Sequence, residues 1–356
     1  SLLRSARDAC EAARDADALT LYTCWGTEWR AFGQPRRKRP LASVVLAEGL
    51  ARAIVEDVRD WQRSLDWYRR RGVPYRRGVL LHGPPGGGKT SFVVALAGHL
   101  DLDVCVLSLS DDGLTDDRLA LALANVPPRA LVLLEDLDAA FVSRERAAFD
   151  NSRGSQGGVN LLTLSGLLNA LDGAAATEGR LLFATTNHLD RLDPAILRPG
   201  RIDLVHLVDY ATEAQAATLF DAFFRDDVVV VPPGAPDSLE HDEAARIFAR
   251  RAVAATLEAA GRAPSMAELQ AFLIERKHDP GAAVDEAHLV ADVALARVVG
   301  PRAPPGAATA GGGEELPRQR VSRGRRVLTP EEVDKLPWNP QPGWEEMVGK
   351  IVPPAP

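Results

Sequence analysis

The run Gly83-Pro84-Pro85-Gly86-Gly87-Gly88-Lys89-Thr90 constrains this chain more than any other feature. It fits the spacing GxxxxGK[ST], follows the apolar run Val79–His82, and leads into the helix-compatible stretch Ser91–Leu100. Glycines let successive backbone N–H groups curl inward around phosphate oxygens, and a helix start adds the positive end of the backbone dipole. The loop therefore predicts an anion cradle. Lys89 is placed to reach the outer phosphates and the Thr90 hydroxyl to hold Mg²⁺, with Ser91 next in line among the binding residues. A glycine-rich turn without ligand is the competing reading, and the flanking strand counts against it.

Two further segments carry chemistry of the same kind. Leu131, 42 residues after Lys89, opens an apolar run of four that ends in Glu135-Asp136-Leu137-Asp138. Four apolar residues predict a buried strand, and carboxylates at its C-terminal end would emerge beside the loop's Mg²⁺. In nucleotide hydrolysis one carboxylate positions the metal and another orients the attacking water, so Glu135 and Asp136 are the candidates. The third segment, Leu181–Asn187, is a strand ending in hydroxyls and an amide, and Asn187 can orient a water or contact the terminal phosphate from the other side. Beyond it, Arg198 and Arg201 flank Pro199-Gly200. They can stabilise charge on a transferring phosphoryl group, or form a structural ion pair with Asp193 or Asp203.

From Gly78 to about Val208 short apolar runs alternate with helical stretches, which predicts an α/β fold with a parallel sheet covered on both faces. The expected strands are Val79–His82, Val104–Leu109, Leu131–Leu134, Leu181–Thr185 and Leu204–Val208. Beyond Asp209 the pattern turns helical. Thr212 with Gln215, and Ser265 with Glu268, have capping-box spacing. The chain thus divides into an N-terminal segment (1–71), an α/β core (72–210), a smaller helical lid (211–299) and a tail (300–356). In the tail, 15 of the 44 residues from Gly300 to Gly343 are Gly or Pro, too many for regular structure. The first segment opens with a helical-looking Ala/Arg/Asp stretch. Leu19–Phe32 then reads as strand, and Leu46, Leu50, Ile54, Val58, Trp61 and Leu65 line one face of a single helix. Between them Arg36–Arg39, held between Pro35 and Pro40, predicts a rigid exposed basic loop. Trp25, Trp29, Trp61 and Trp67 are expected to anchor this segment on the core.

Composition narrows the remaining options. Forty-two Lys and Arg against 49 Asp and Glu give a net charge of -7, which argues against a surface built to neutralise nucleic-acid backbones. The clusters Arg36–Arg39, Arg69–Arg71 and Arg76–Arg77 keep a nucleic-acid machine open as an alternative, although they lack interleaved aromatic platforms. Cys10, Cys24 and Cys105 form no CxxC pair and are odd in number, so neither a disulfide framework nor a zinc cage is written here. The seven histidines have no ligand spacing. No stretch approaches the about 20 apolar residues of a bilayer span. The chain begins at Ser1 with no recognisable leader, and further sequence is expected upstream.

The ordered set GPPGGGKT, LLEDLDAAF, SGLLNALDG and ATTNHLDRLDPAILRPGRID resembles the AAA family of ATPases. The segments YTCWGTEWRAFGQPRRKRPLASVVL, WYRRRGVPYRRGVLLHGPPGGGKTSF and GLTDDRL narrow the resemblance to the mitochondrial chaperones of complex III, the Bcs-one type, over roughly Leu19 to Asp285. The resemblance implies a P-loop fold that hydrolyses ATP with Mg²⁺ in a homo-oligomeric ring of seven subunits. It implies a matrix-facing ATPase at the inner mitochondrial membrane, anchored by an upstream helix, that moves the folded Rieske iron–sulfur protein. Gly83 to Thr90 then match the Walker A loop, Glu135 and Asp136 the Walker B acids, Asn187 the first sensor, and Arg198 and Arg201 the arginine fingers. The acids stand in the reverse of the usual Asp–Glu order, as they do throughout the Bcs-one group. Which of them polarises water stays open, and an ATP-gated scaffold without turnover is the corresponding alternative. Ser108–Leu121 offers no aromatic where threading motors grip an unfolded chain, so threading is not expected.

Overall fold

Continuous branched apolar runs make strands that are covered on both faces, and such runs build the centre of this molecule. The computed structural model describes residues 17–109, 111, 113–138, 162–173, 178–225 and 241–299. The chain starts with β1 (Ala18–Leu19), β2 (Leu21–Trp25), β3 (Glu28–Ala31) and β4 (Arg36–Arg37), then α1 (Leu50–Arg63) and α2 (Leu65–Arg71). Strand and helix next alternate through β5 (Arg76–His82), α3 (Lys89–His99), β6 (Asp103–Ser108), α4 (Asp116–Ala124) and β7 (Ala130–Glu135). The series continues with α5 (Leu164–Asp172), β8 (Arg180–Thr186) and β9 (Leu204–Leu207). Helices α6 (Glu213–Phe224), α7 (His241–Ala260), α8 (Met266–Glu275), α9 (Pro280–Asp285) and α10 (Val290–Val299) follow.

One sheet runs β3-β2-β6-β7-β8-β5-β9, and every neighbouring pair is parallel except the β2–β3 hairpin. The period of two sorts its side chains between two cores. Val79, Leu81, Leu131, Leu133 and Phe183 face α1 and α3, with Phe92, Val93 and Leu96 against Ile54, Val58 and Trp61. Leu80, Val132, Leu134, Leu182 and Ala184 face α4 and α5, meeting Leu119, Leu123, Leu167 and Leu171. The lid has its own core, in which the Phe248 ring lies 5.1 Å from Phe220 and 6.0 Å from Phe272. Both expected capping boxes are present, at Thr212/Gln215 and Ser265/Glu268.

The N-terminal segment departs from expectation in four ways. Leu19–Phe32 is a hairpin rather than one strand, turned at Gly26 with φ 67°, and its β2 extends the central sheet beside β6. The expected single helix begins only at Leu50, after Gly49 with φ 78°, and is broken at Ser64. Arg36, Arg37 and Arg39 are exposed as expected, but the segment is partly strand and several of its cations have partners. Arg36 and Arg37 pair in a two-residue ladder with β1, Arg37 bonds Asp17, Lys38 bonds Asp101 at 2.6 Å, and Arg39 donates to Ser43 Oγ. Carboxylates and a hydroxyl within the fold thus engage three of these four cations, with Arg37 still 88% exposed. Of the four tryptophans, Trp61 stacks on Tyr75 with centroids 4.5 Å apart, and Trp29 donates from Nε1 to the Ala122 carbonyl at 2.8 Å. Trp25 and Trp67 are instead 66% and 46% exposed, so they are not anchors. The opening Ala/Arg/Asp stretch, Cys10, and the Gly/Pro-rich tail lie outside the described residues.

Candidate functional site

The loop between β5 and α3 carries its glycines where no other residue fits. A Cβ on Gly83 would come within 2.1 Å of the Val208 carbonyl oxygen, and Gly86 and Gly88 have φ of 82° and 99°. Gly88 is the N-cap of α3 and gives it no side-chain cap, so the first-turn N–H groups have no capping acceptor. No acid stands in that first turn. Lys89, 8% exposed, lies across the inside of the loop. Its Nζ donates to the Gly83 carbonyl at 2.7 Å, the Pro84 carbonyl at 2.9 Å and Asn187 Oδ1 at 2.8 Å. Burial pushes the Lys89 ammonium below its ordinary value, while the charges of Asp136 and Asp138 pull it back up. Pro85 is exposed on the outside of the loop, Gly87 is buried, and Ser91 is half-buried in the first turn of α3.

The sheet brings the acids to the same edge. Thr90 Oγ1 donates to Glu135 Oε1 at 3.1 Å, which joins the end of β7 to the start of α3. Asp136 takes a left-handed φ of 50°, a conformation Asp tolerates better than most residues. That turn lifts the chain off β7 and leaves Asp136 exposed, with its N–H donating to Thr185 Oγ1 at 3.3 Å. Asn187 stands two strands from Glu135's neighbour β6, at the tip of β8, and reaches the loop through Lys89. An open cleft beside the loop is lined by His82, Pro84, Pro85, Asn187, His188 and Tyr210. Burial, followed by the charge of Lys89, lowers the pKa of His82.

The two arginines part company. Arg201 bonds Asp172 at 2.6 Å and the Ala195 carbonyl at 2.7 Å, and its side chain is only 14% exposed. It pairs with neither of the acids expected from sequence. Asp193 caps the Ala195 N–H, and Asp203 takes the N–H groups of Gly78 and Gly200. Arg198 is exposed.

Sequence reasoning passed over two contributors. Asp138 is buried, and its Oδ1 accepts from Thr186 Oγ1 at 2.6 Å and from the Asn187 N–H at 3.1 Å. Its signal was present as the third acid of Glu-Asp-Leu-Asp. The lid's contact with the loop had no such signal: the Ala267 N–H donates to the Gly86 carbonyl at 3.0 Å, and the two residues are far apart in sequence. The donor set suits a magnesium nucleotide. Among the described residues no group of three or more His, Cys, Asp or Glu side chains could cage a metal, whereas Thr90 and Glu135 meet at one point. Magnesium is commonly held this way, by few protein oxygens and the phosphates themselves.

A mainly parallel sheet with a phosphate loop after β5, second from its edge, acids at the end of β7 on the far side of β8, and a following helical lid defines an AAA-type ATPase domain. Known families agree: the ATPase family associated with various cellular activities (AAA) matches residues 79–210, and the mitochondrial chaperone BCS1-like ATPase lid domain matches 213–289. The chain is 49% identical over 267 residues to the Mitochondrial chaperone BCS1 of Homo sapiens, covering 75% of this chain and 59% of that protein. The figures for the Bos taurus protein of the same name are 48% over 267 residues, with the same coverage. The Probable mitochondrial chaperone bcs1 of Schizosaccharomyces pombe is 45% identical over 273 residues, 77% of this chain and 55% of that protein. The chain therefore belongs to the AAA family, in its BCS1-like branch, and spans somewhat under three fifths of the length of these three relatives.

Proposed function

We propose that this chain hydrolyses ATP within a homo-oligomeric ring, of seven subunits by family resemblance, and uses the cycle to move or remodel a folded protein client. The observation that carries the reading is the meeting of Thr90, Glu135, Lys89 and Asn187 around one glycine-rich loop. In this reading the amides of Gly83–Thr90 bind the phosphates, with Pro84, Pro85 and Ser91 shaping the cradle, and Lys89 neutralises the outer oxygens. Thr90 and Glu135 would hold Mg²⁺, with Asp136 close by, and bound Mg²⁺ would offset phosphate charge. Glu135 already bonds the Thr90 hydroxyl, so it takes the metal side and leaves Asp136 to accept the proton of the attacking water. Asn187 orients that water. Arg198 and Arg201 act on the nucleotide of a neighbouring subunit, with Arg201 released from Asp172 to do so.

The names of the relatives support a mitochondrial chaperone, and the resemblance extends this to assembly of complex III by translocation of the Rieske iron–sulfur protein. Location at the inner membrane with the ATPase in the matrix, an upstream anchor, and the division into 1–71, 72–210, 211–299 and 300–356 belong to the same proposal. Among the described residues no helix is long and apolar enough to cross a membrane. A nucleic-acid client is disfavoured by the net charge of -7 and by the ion pairs that hold the largely covered Lys38 and Arg77.

Subunit mixing tests the reading. Rings of Arg198→Ala or Arg201→Ala alone, and of Lys89→Ala alone, should each turn over ATP slowly. Mixing either arginine variant with Lys89→Ala subunits should restore part of the rate, because intact arginines then face intact phosphate loops. A wild-type chain that binds ATP without turnover would establish the scaffold instead, and mixtures with no recovery would remove action between subunits.

A further inference from the structure

We propose that Asp138 is a positioning residue that fixes the place of Asn187, and with it the water-orienting side of the site. This rests on the ATPase reading above. The inference begins from a carboxylate that is 7% exposed and has a defined set of donors. Its Oδ1 accepts both the Thr186 hydroxyl and the Asn187 N–H, so a single oxygen ties down two consecutive residues at the tip of β8. Thr186 Oγ1, having donated its proton to Asp138, accepts the N–H of His188 at 3.0 Å. Three residues of the tip are thus oriented from one atom. Asn187 then extends to Lys89 from the tip so held.

The backbone makes the link directional. Leu137 donates its N–H to the Thr185 carbonyl at 2.9 Å and Asp136 to Thr185 Oγ1, so residues 136–138 run along 185–187 as an irregular continuation of the β7–β8 pair. The acids on one strand end and the amide on the other therefore keep a constant separation. Because Oδ1 takes the Thr186 hydroxyl and the Asn187 N–H together, the buried carboxylate is a fixed acceptor for both. Its removal would leave Thr186 and Asn187 free to rotate, which affects water placement but not phosphate binding by the loop.

The test is steady-state ATP turnover and nucleotide binding by the full chain, with Asp138→Ala, Asp138→Asn, Thr186→Val, Asn187→Ala and the double variant Asp138→Ala/Asn187→Ala. Asp138→Ala should lower kcat about 10- to 100-fold, the usual range for a residue supporting a functional side chain, with ATP affinity within about threefold. Asp138→Asn keeps Oδ1 as an acceptor and should retain most of the rate. In the Asn187→Ala background the added loss from Asp138→Ala should fall below about twofold, because residues acting as a unit are not additive. If Asp138→Ala does not fold, Thr186→Val carries the same expectation by removing one of the two donors. Wild-type turnover kept by Asp138→Ala, or a loss of equal size with and without Asn187, would overturn this role alone. A wild-type rate no higher than that of Lys89→Ala would overturn the ATPase reading and this role together.

Discussion

Helices α3 and α8 begin close to each other, joined by the Ala267–Gly86 hydrogen bond, yet they begin in opposite ways. At α8, Ser265 Oγ accepts the Glu268 N–H, Glu268 accepts the Ser265 N–H at 2.8 Å, and Arg262 grips both carboxylate oxygens at 3.0 and 2.8 Å. Every local rule for a stable helix start is obeyed, including an acid in the first turn. At α3 the cap is a left-handed glycine with no side-chain acceptor, and the first helical residue is a buried cation at the positive end of the dipole. Stability rules are broken at the proposed phosphate-binding loop and kept at the start of a helix in the lid's core. The molecule separates the two tasks by only one hydrogen bond.

Substitutions on either side can break that division or sharpen it. Lys89→Ala should lower ATP turnover about 10³-fold, the loss expected for a group facing transferring charge, while the unfolding midpoint moves by no more than about 3 °C. Glu268→Ala should do the reverse. It strands a mostly buried Arg262, costing about 3 kcal/mol in denaturant titrations, with turnover changed far less than by Lys89→Ala. The same carboxyl sets a pH dependence. Burial raises its pKa, but the Arg262 and Ser265 bonds outweigh that and hold it below the ordinary 4.5. A depressed folded value stabilises above the unfolded value, so this contribution is complete above about pH 4.5 and is lost as pH falls through the folded value. Unfolding curves of wild type and Glu268→Gln should therefore converge as pH falls below that range. Ser265→Ala should cost about 1 kcal/mol and Thr212→Ala, whose box is exposed and closed by a neutral Gln215, about 0.5 kcal/mol, both read from thermal midpoints. If Lys89→Ala unfolds the chain, or Glu268→Ala abolishes turnover in a folded one, the separation of tasks is wrong.

Much of this architecture was legible because its signals are local. Five strands of the sheet show as apolar runs, the two capping boxes as pairs three residues apart, and the phosphate loop as eight consecutive residues. The expectations that missed are those decided by partners far along the chain. Arg36–Arg39 looks like a free basic loop until Asp17, Asp101 and Ser43 are seen beside it. Arg201 has acids nearby at Asp193 and Asp203, but the fold gives it Asp172. Two of four tryptophans face solvent, Trp25 at the turn end of the hairpin and Trp67 on α2, whose Leu65 and Tyr68 take the core-facing positions instead.

Residue type and spacing alone determined that a glycine-rich loop, two acids and an amide would sit at strand ends, since backbone periodicity and steric freedom act within a few residues. Which acid meets Thr90, which carboxylate holds the tip bearing Asn187, and which arginine is bound by an acid of the same chain were decided by strand order and register. Those relations join residues brought together by closure of the sheet, and a hydrogen bond has no reach until packing has already set its ends about 3 Å apart.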